Sequence, residues 1–373
     1  MITWRAGVVQ SVRASWPGAV ELQVALDEPW ADPDLPTEVK ALAYPELVGE
    51  TPVGTRVLLN VSALARGLGT GGYALVVAPA GSVPPDRPAG RGHLVKARYT
   101  PLQAMVLGVD DQESEHHEVL ADADDLAGLP VVVADLHSAL PAIIAGARHA
   151  ADAAGRPAPR VVYVMTDGGA LPAWFSRAVA GLRDAGWIAS CITTGQAFGG
   201  DLEAVTVHTG LLAARHVVDA DLVVVAQGPG NLGTGTRWGF SGVAVGEAVN
   251  AVGVLGGRAV ASLRVSGADE RERHLGVSHH SLTAYGRVAL QPADVPVPVF
   301  GGDLSALGAR VAEQVAQLAT RHRLVEVPAG EDLLDALRGS PVRLSTMGRG
   351  LDRDPAAFLA AAVAGRHAVA LLD

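Results

Sequence analysis

From Pro130 onward the chain alternates apolar, strand-like runs with helix-periodic stretches, and this alternation constrains its fold more than any other feature. Residues 131–134, 160–165, 188–193, 222–226 and 258–265 are near-continuous apolar runs. Stretches 139–153, 172–185, 203–217 and 243–255 repeat apolar residues at helical spacing between them. Strands apolar on both faces and joined through helices belong to a parallel sheet covered on both sides. The expected fold is α/β, with a mostly parallel, Rossmann-like sheet and helices on both faces. A strand at 297–300, a long helix at 305–322, a strand at 324–327 and helices at 331–338 and 355–364 are expected to complete it.

The first 80 residues have a different texture. Short β-branched runs at 7–12, 19–26, 38–43, 56–60 and 73–77 are separated by turn signals such as Trp16-Pro17-Gly18. Five short strands in that length indicate a small β-barrel-like module. A glycine-rich connection lies at 63–72 and a Pro/Gly linker at 79–92. The expected organisation is a β module at 1–80, a linker with connecting strands at 81–129, and a three-layer α/β domain at 130–373.

Charge and cysteine content narrow the function. The formal net charge is -10, and the two basic stretches, 264–273 and 310–323, are interrupted by acids. A nucleic-acid or anionic-membrane partner needs a basic face, so neither is expected. No run of about 20 apolar residues is present to span a membrane. The single cysteine, Cys191, sits in an apolar run and reads as a packed core residue, in keeping with a reducing, cytoplasmic location. A homodimer is the expectation from base rates alone.

Ligands of open parallel sheets bind beyond the carboxyl ends of the strands, so the loops there are the candidates. The first, Asp135-Leu136-His137-Ser138, either caps a helix or presents His137 as an acid, base or ligand. The second, 166–172, is either a tight turn or a site in which Asp167 accepts a proton or holds a cation while Gly168-Gly169 admits a ligand. The third, 194–203, carries Thr194, Gly199, Gly200, Asp201 and Glu203. A helix cap needs only one residue there, so ligand binding is favoured.

The fourth loop, 227–242, is the strongest signal. Gly228, Gly230, Gly233 and Gly235 expose backbone N–H groups suited to an anion, and Thr234, Thr236 and Arg237 add donors. It lacks the Gly-Lys-Ser/Thr ending of a phosphate-binding Walker loop. It is a poor dinucleotide fingerprint too, because Pro229 interrupts it and no acid closes the next strand. The fifth, 266–283, contains His279 and His280, of which at most one is expected to face the crevice. With His137 and Asp201 or Asp167 they leave a mixed nitrogen/oxygen metal site open, with no metal or cofactor specified. His116-His117 is expected at the surface.

Segments 194–204, 228–237 and 275–283, with 92–103 and 341–350, resemble an uncharacterised bacterial family known only as a domain of unknown function. The resemblance implies a whole protein of that family and carries no activity, cofactor or catalytic residue with it. The leading expectation is an enzyme acting on a small anionic metabolite, with His137 or His279 moving a proton and Asp167 or Asp201 orienting it. The alternative is a non-catalytic small-molecule-binding or sensor protein. All five loops are expected to converge on one cavity.

Overall fold

The computed structural model describes residues 2–30, 35–68, 71–81, 83–86, 88 and 90–372. The glycine-rich connection at 63–72 and the linker at 79–92 therefore fall partly outside the described residues, at 69–70 and at 82, 87 and 89. The chain divides into two compact units, Met1–Arg91 with Val95–Met105, and Gly92–Leu94 with Val106–Asp373.

In the first unit, β1 (Trp4–Trp16), β2 (Ala19–Leu26), β3 (Glu38–Ala43), β4 (Arg56–Asn60) and β5 (Ala74–Pro79) close into a barrel in the order β1-β2-β3-β5-β4. Only β3 and β5 run parallel. Register shifts after Val9 and Val12 bend β1, which lets the long strand pair with both β2 and β4. The inward positions, Val9, Leu22, Val24, Val39, Val57, Leu59 and Val76 among them, form a separate apolar core.

The second unit is built on an eight-stranded, all-parallel sheet. Its strands are β6 (Pro130–Ala134), β7 (Val161–Thr166), β8 (Ser190–Thr193), β9 (Leu202–Glu203), β10 (Leu222–Gln227), β11 (Arg258–Ala261), β12 (Asp294–Phe300) and β13 (Arg323–Ala329). Their order is β9-β8-β7-β10-β6-β11-β12-β13. The central strands β6 and β10 are buried along their whole length, which accounts for their unbroken apolar sequences.

The helices are α1 (Leu140–Ala153), α2 (Arg177–Asp184), α3 (Val207–His216), α4 (Val245–Val254), α5 (His279–Thr283), α6 (Ser305–Val315), α7 (Glu331–Arg338) and α8 (Pro355–Val369). The chain steps one way across the sheet from β6 to β9 and the other way from β10 to β13. Right-handed crossovers therefore send the two sets of connections to opposite faces. α1 packs against α7 and α8, and α3 against α4. The departures from β6 and β11, neighbours in the sheet, thus diverge, and such a switch point opens a crevice.

Several boundaries differ from expectation. The helix expected from residue 203 begins at Val207 behind the cap Thr206, because Leu202–Glu203 pairs with β8 as an edge strand. The helix expected from 172 begins at Arg177, capped by Ser176, whose Oγ accepts from Val179 N. The run 258–265 is broken after Ala261, and Val265–Ser266 pairs instead with Gly276–Val277 in a short antiparallel ribbon. The helix expected to reach 322 ends at Val315 and continues as tighter 3-10 turns through Thr320.

Candidate functional site

Beyond the carboxyl ends of β10, β6 and β11 lies a cavity of about 530 Å³. Its wall comes from Leu136–Ser138 after β6, from Gln227–Asn231 with Gly233 and Gly235 after β10, and from Arg264, Arg271, Arg273, His274 and His280 after β11. Ser345, Thr346 and Met347, between α7 and α8, close the fourth side. That segment is held by Ser138 Oγ donating to Thr346 Oγ1, and by Arg349, whose guanidinium reaches Asp269 at 3.2 Å and Asp354 at 3.2 Å.

Three guanidinium groups face this cavity. Arg271 forms a two-pronged pair with Asp269, at 2.9 Å on each side. Glu272 is taken by Arg310. Arg264, with 11% of its side chain exposed, donates to His280 Nδ1 at 3.0 Å and lies 3.9 Å from Asp135 Oδ2. Arg273 is exposed and makes no ion pair among the described residues. Asp269 and Glu272 are therefore spent on pairs beside the cavity, whereas the exposed Glu270 and Arg273 make no ion pair among the described residues. Burial pushes the Asp135 carboxyl up, with Arg264 pulling it back down.

The imidazoles of His274, His279 and His280 pack together beneath the arginines. Their ring centres lie 4.4–5.0 Å apart, and Phe240 stacks flat on His280 at 3.8 Å. Burial, reinforced by Arg264, pushes His274 down to about 4 and His280 to about 3; His279 moves the same way, from burial and then Arg273. All three rings are therefore neutral at pH 7. His280 Nδ1 accepts from Arg264, so its proton sits on Nε2.

The model of a family described as "Protein of unknown function (DUF3866)" matches residues 40–365, which include every residue lining the cavity. The chain belongs to the DUF3866 family. No curated protein and no solved structure matches it.

In this DUF3866 chain three of the five candidate loops reach the cavity, and the other two do not line it. His137 lines the cavity, yet both its ring nitrogens are engaged. Nδ1 meets Tyr163 Oη at 3.0 Å and Nε2 meets Ser176 Oγ at 2.7 Å, and Tyr163 donates onward to the Gln227 carbonyl. No carboxylate orients it, and burial pushes it down to about 4. His137→Ala is expected to cost about 1–3 kcal/mol of stability by stripping a partner from two buried hydroxyls. A urea midpoint equal to that of the parent protein would show that the network carries no such weight.

Asp167 is exposed and accepts from Gln196 N at 2.8 Å. Gly168 and Gly169 serve contact with the neighbouring loop: a Cβ on Gly169 would stand 2.0 Å from Gly228 O. Loop 194–203 folds on itself at the sheet edge. Glu203 accepts from Thr193 Oγ1 and from Gly199 N, each at 2.6 Å, and Asp201 accepts from Cys191 N at 2.7 Å and pairs with Arg183. Thr194 packs its methyl on Gly210, while a Cβ on Gly199 would meet the Trp174 ring and one on Gly200 the Cys191 carbonyl. β7 lies between β8 and β10, the strands these loops follow, so loops 194–203 and 228–242 do not share an edge, and β7 and β10 separate loop 194–203 from β6. Asp167 and Asp201 are thus not brought to His137 or His279. Cys191 is buried, and its thiol is pushed up to about 12 by burial.

Within loop 228–242, Gly228 N is spent on Thr166 O and Thr234 N on Gly239 O. Thr234 and Thr236 bond each other, and Thr236 also accepts from Gly239 N. Neither threonine lines the cavity, nor does Arg237, which is exposed. The N–H groups of Gly230, Gly233 and Gly235 remain as the loop's candidates. Reading the sequence alone missed Arg264, Arg271, Arg273 and His274. The signal that marks them is three arginines and a histidine within eleven residues after a sheet strand, and the intervening acids masked it.

Proposed function

We propose that this protein is an enzyme acting on a small anionic metabolite held in the cavity beyond β10, β6 and β11. The observation that carries the reading is the convergence of Arg264, Arg271 and Arg273 on a 530 Å³ space, with Arg273 making no ion pair among the described residues. Guanidinium forks match carboxylate and phosphate oxygens. Arg264 and Arg273, with Arg271 beside them held on Asp269, favour a ligand with two or more negative charges, such as a phosphate monoester or a dicarboxylate. Gly230, Gly233 and Gly235 offer backbone N–H groups, and Ser138 and Thr346 hydroxyls, for the rest of the molecule.

His137, whose two ring nitrogens are occupied, is not assigned proton transfer, and the imidazoles that face the cavity are His274 and His280. A cytoplasmic location is part of this reading. Among the described residues no helix is long and apolar enough to cross a membrane.

The test is a thermal-shift and calorimetric panel of phosphate monoesters and dicarboxylates, followed by product analysis of each binder. Binding with conversion supports the enzyme. Binding of a doubly charged anion without any conversion returns the protein to the sensor reading. No response to either class overturns the anion site itself.

A further inference from the structure

We propose that His274, His279 and His280 form a transition-metal site beside the anion cavity, with Asp135 as the carboxylate behind His280. The three residues each offer a ring nitrogen, and these atoms lie within 4.8 Å of one another. A tetrahedral ion with metal–nitrogen bonds of about 2 Å needs its ligands roughly 3.3 Å apart, a gap that small imidazole rotations close. Three imidazoles suit zinc, cobalt, nickel, copper or iron, whereas magnesium and calcium prefer oxygen donors.

Two orphaned atoms point the same way. His279 Nε2 is buried and has no hydrogen-bond partner among the described residues, and neither has Asp135 Oδ2. Buried polar atoms are nearly always partnered, so each of these two calls for an explanation. Asp135 Oδ2 lies 3.9 Å from His280 Nδ1. Metal-bound histidines pass their outer N–H to a carboxylate, carbonyl or hydroxyl. His274 already has such a partner, with Nδ1 2.7 Å from Ser278 Oγ.

His280 is arranged differently, and the difference is informative. Its Nδ1 now accepts from Arg264, which leaves the proton on Nε2. Coordination through Nε2 moves that proton to Nδ1, which must then donate. Arg264 has no acceptor to offer, and Asp135 Oδ2 does. Loading the metal therefore exchanges the Arg264–His280 bond for His280–Asp135, satisfies the orphaned oxygen, and frees an Arg264 N–H for the cavity. Asp135 and a bound anion offset the repulsion between the ion and the three arginines. Metal and anion then bind cooperatively; this last step alone rests on the anion site proposed above.

The test uses the full chain, stripped with a chelator and titrated with Co2+. One equivalent should bring up the visible absorption of a low-symmetry, nitrogen-ligated site, and Zn2+ should bleach it. His279→Gln should abolish the band, and Asp135→Asn should weaken affinity about 10–100-fold. Melting curves check that both variants fold, and His274→Gln stands in if either fails. Absence of the band at one equivalent, with or without phosphate, or its survival in folded His279→Gln, overturns the site. Phosphate binding to the stripped protein is scored separately: if it persists while the band is absent, the metal site fails and the anion site stands.

Discussion

Replacing Arg264 or Arg273 with Gln is expected to weaken binding of a doubly charged anion about 10–100-fold each, and the double change to abolish it at millimolar ligand. A hydrogen bond to a charged group contributes about 1.5–3 kcal/mol, which is that range of affinity. Arg264 carries the larger share, because only 11% of its side chain is exposed and its charge is the less screened. Arg273 is the cleaner probe. It is exposed and makes no ion pair among the described residues, so its loss leaves the fold untouched. The two cations share one ligand, so their effects need not add. Calorimetry on the folded variants decides the matter: affinities equal to that of the parent protein for both substitutions would remove the anion from this cavity.

Gly365→Val is expected to destabilise the α/β unit by about 3 kcal/mol or more, lowering Tm by roughly 6–12 °C. α1 and α8 cross at two glycines. A Cβ on Gly365 would stand 1.8 Å from Ile143 O, and one on Gly146 would stand 2.0 Å from Ala362 O. The obstructing atoms are backbone, so no rotamer change relieves the clash and the helices must separate along their shared apolar face. Gly301→Ala is the control. Nothing lies within 4 Å of its Cβ and its φ is -108°, so a change within about 0.5 kcal/mol is expected. Equal melting temperatures for the two variants would show that the close approach carries no weight.

The α/β layout was legible because its cause is local. A strand buried on both faces must be apolar throughout, and β6 and β10 are so. Short β-branched runs between turns revealed the barrel for the same reason. Boundaries were lost where tertiary pairing overrode local pattern. Leu202–Glu203 looks like a helix start until β8 offers it a parallel edge. The glycines of 194–203 look like a ligand loop, yet Gly199 and Gly200 are required by the Trp174 ring and the Cys191 carbonyl.

The glycine-rich wall after β10 and the presence of His137 at the carboxyl end of the sheet were readable from the chain alone, since strand ends set where loops emerge, whereas the histidine chosen from the sequence was His279 and the one that lines the cavity beside it is His280. The order of the strands was not readable, because parallel neighbours are joined through helices of any destination. That order placed β10, β6 and β11 side by side and set loop 194–203 apart. It also spent Asp269 on Arg271 and Arg349, and Glu272 on Arg310, which leaves Arg273 at the cavity with no ion pair among the described residues. Sequence determined which segments are strands, because burial demands composition. Only the tertiary structure decided which charges are left over, because pairing depends on distance in space.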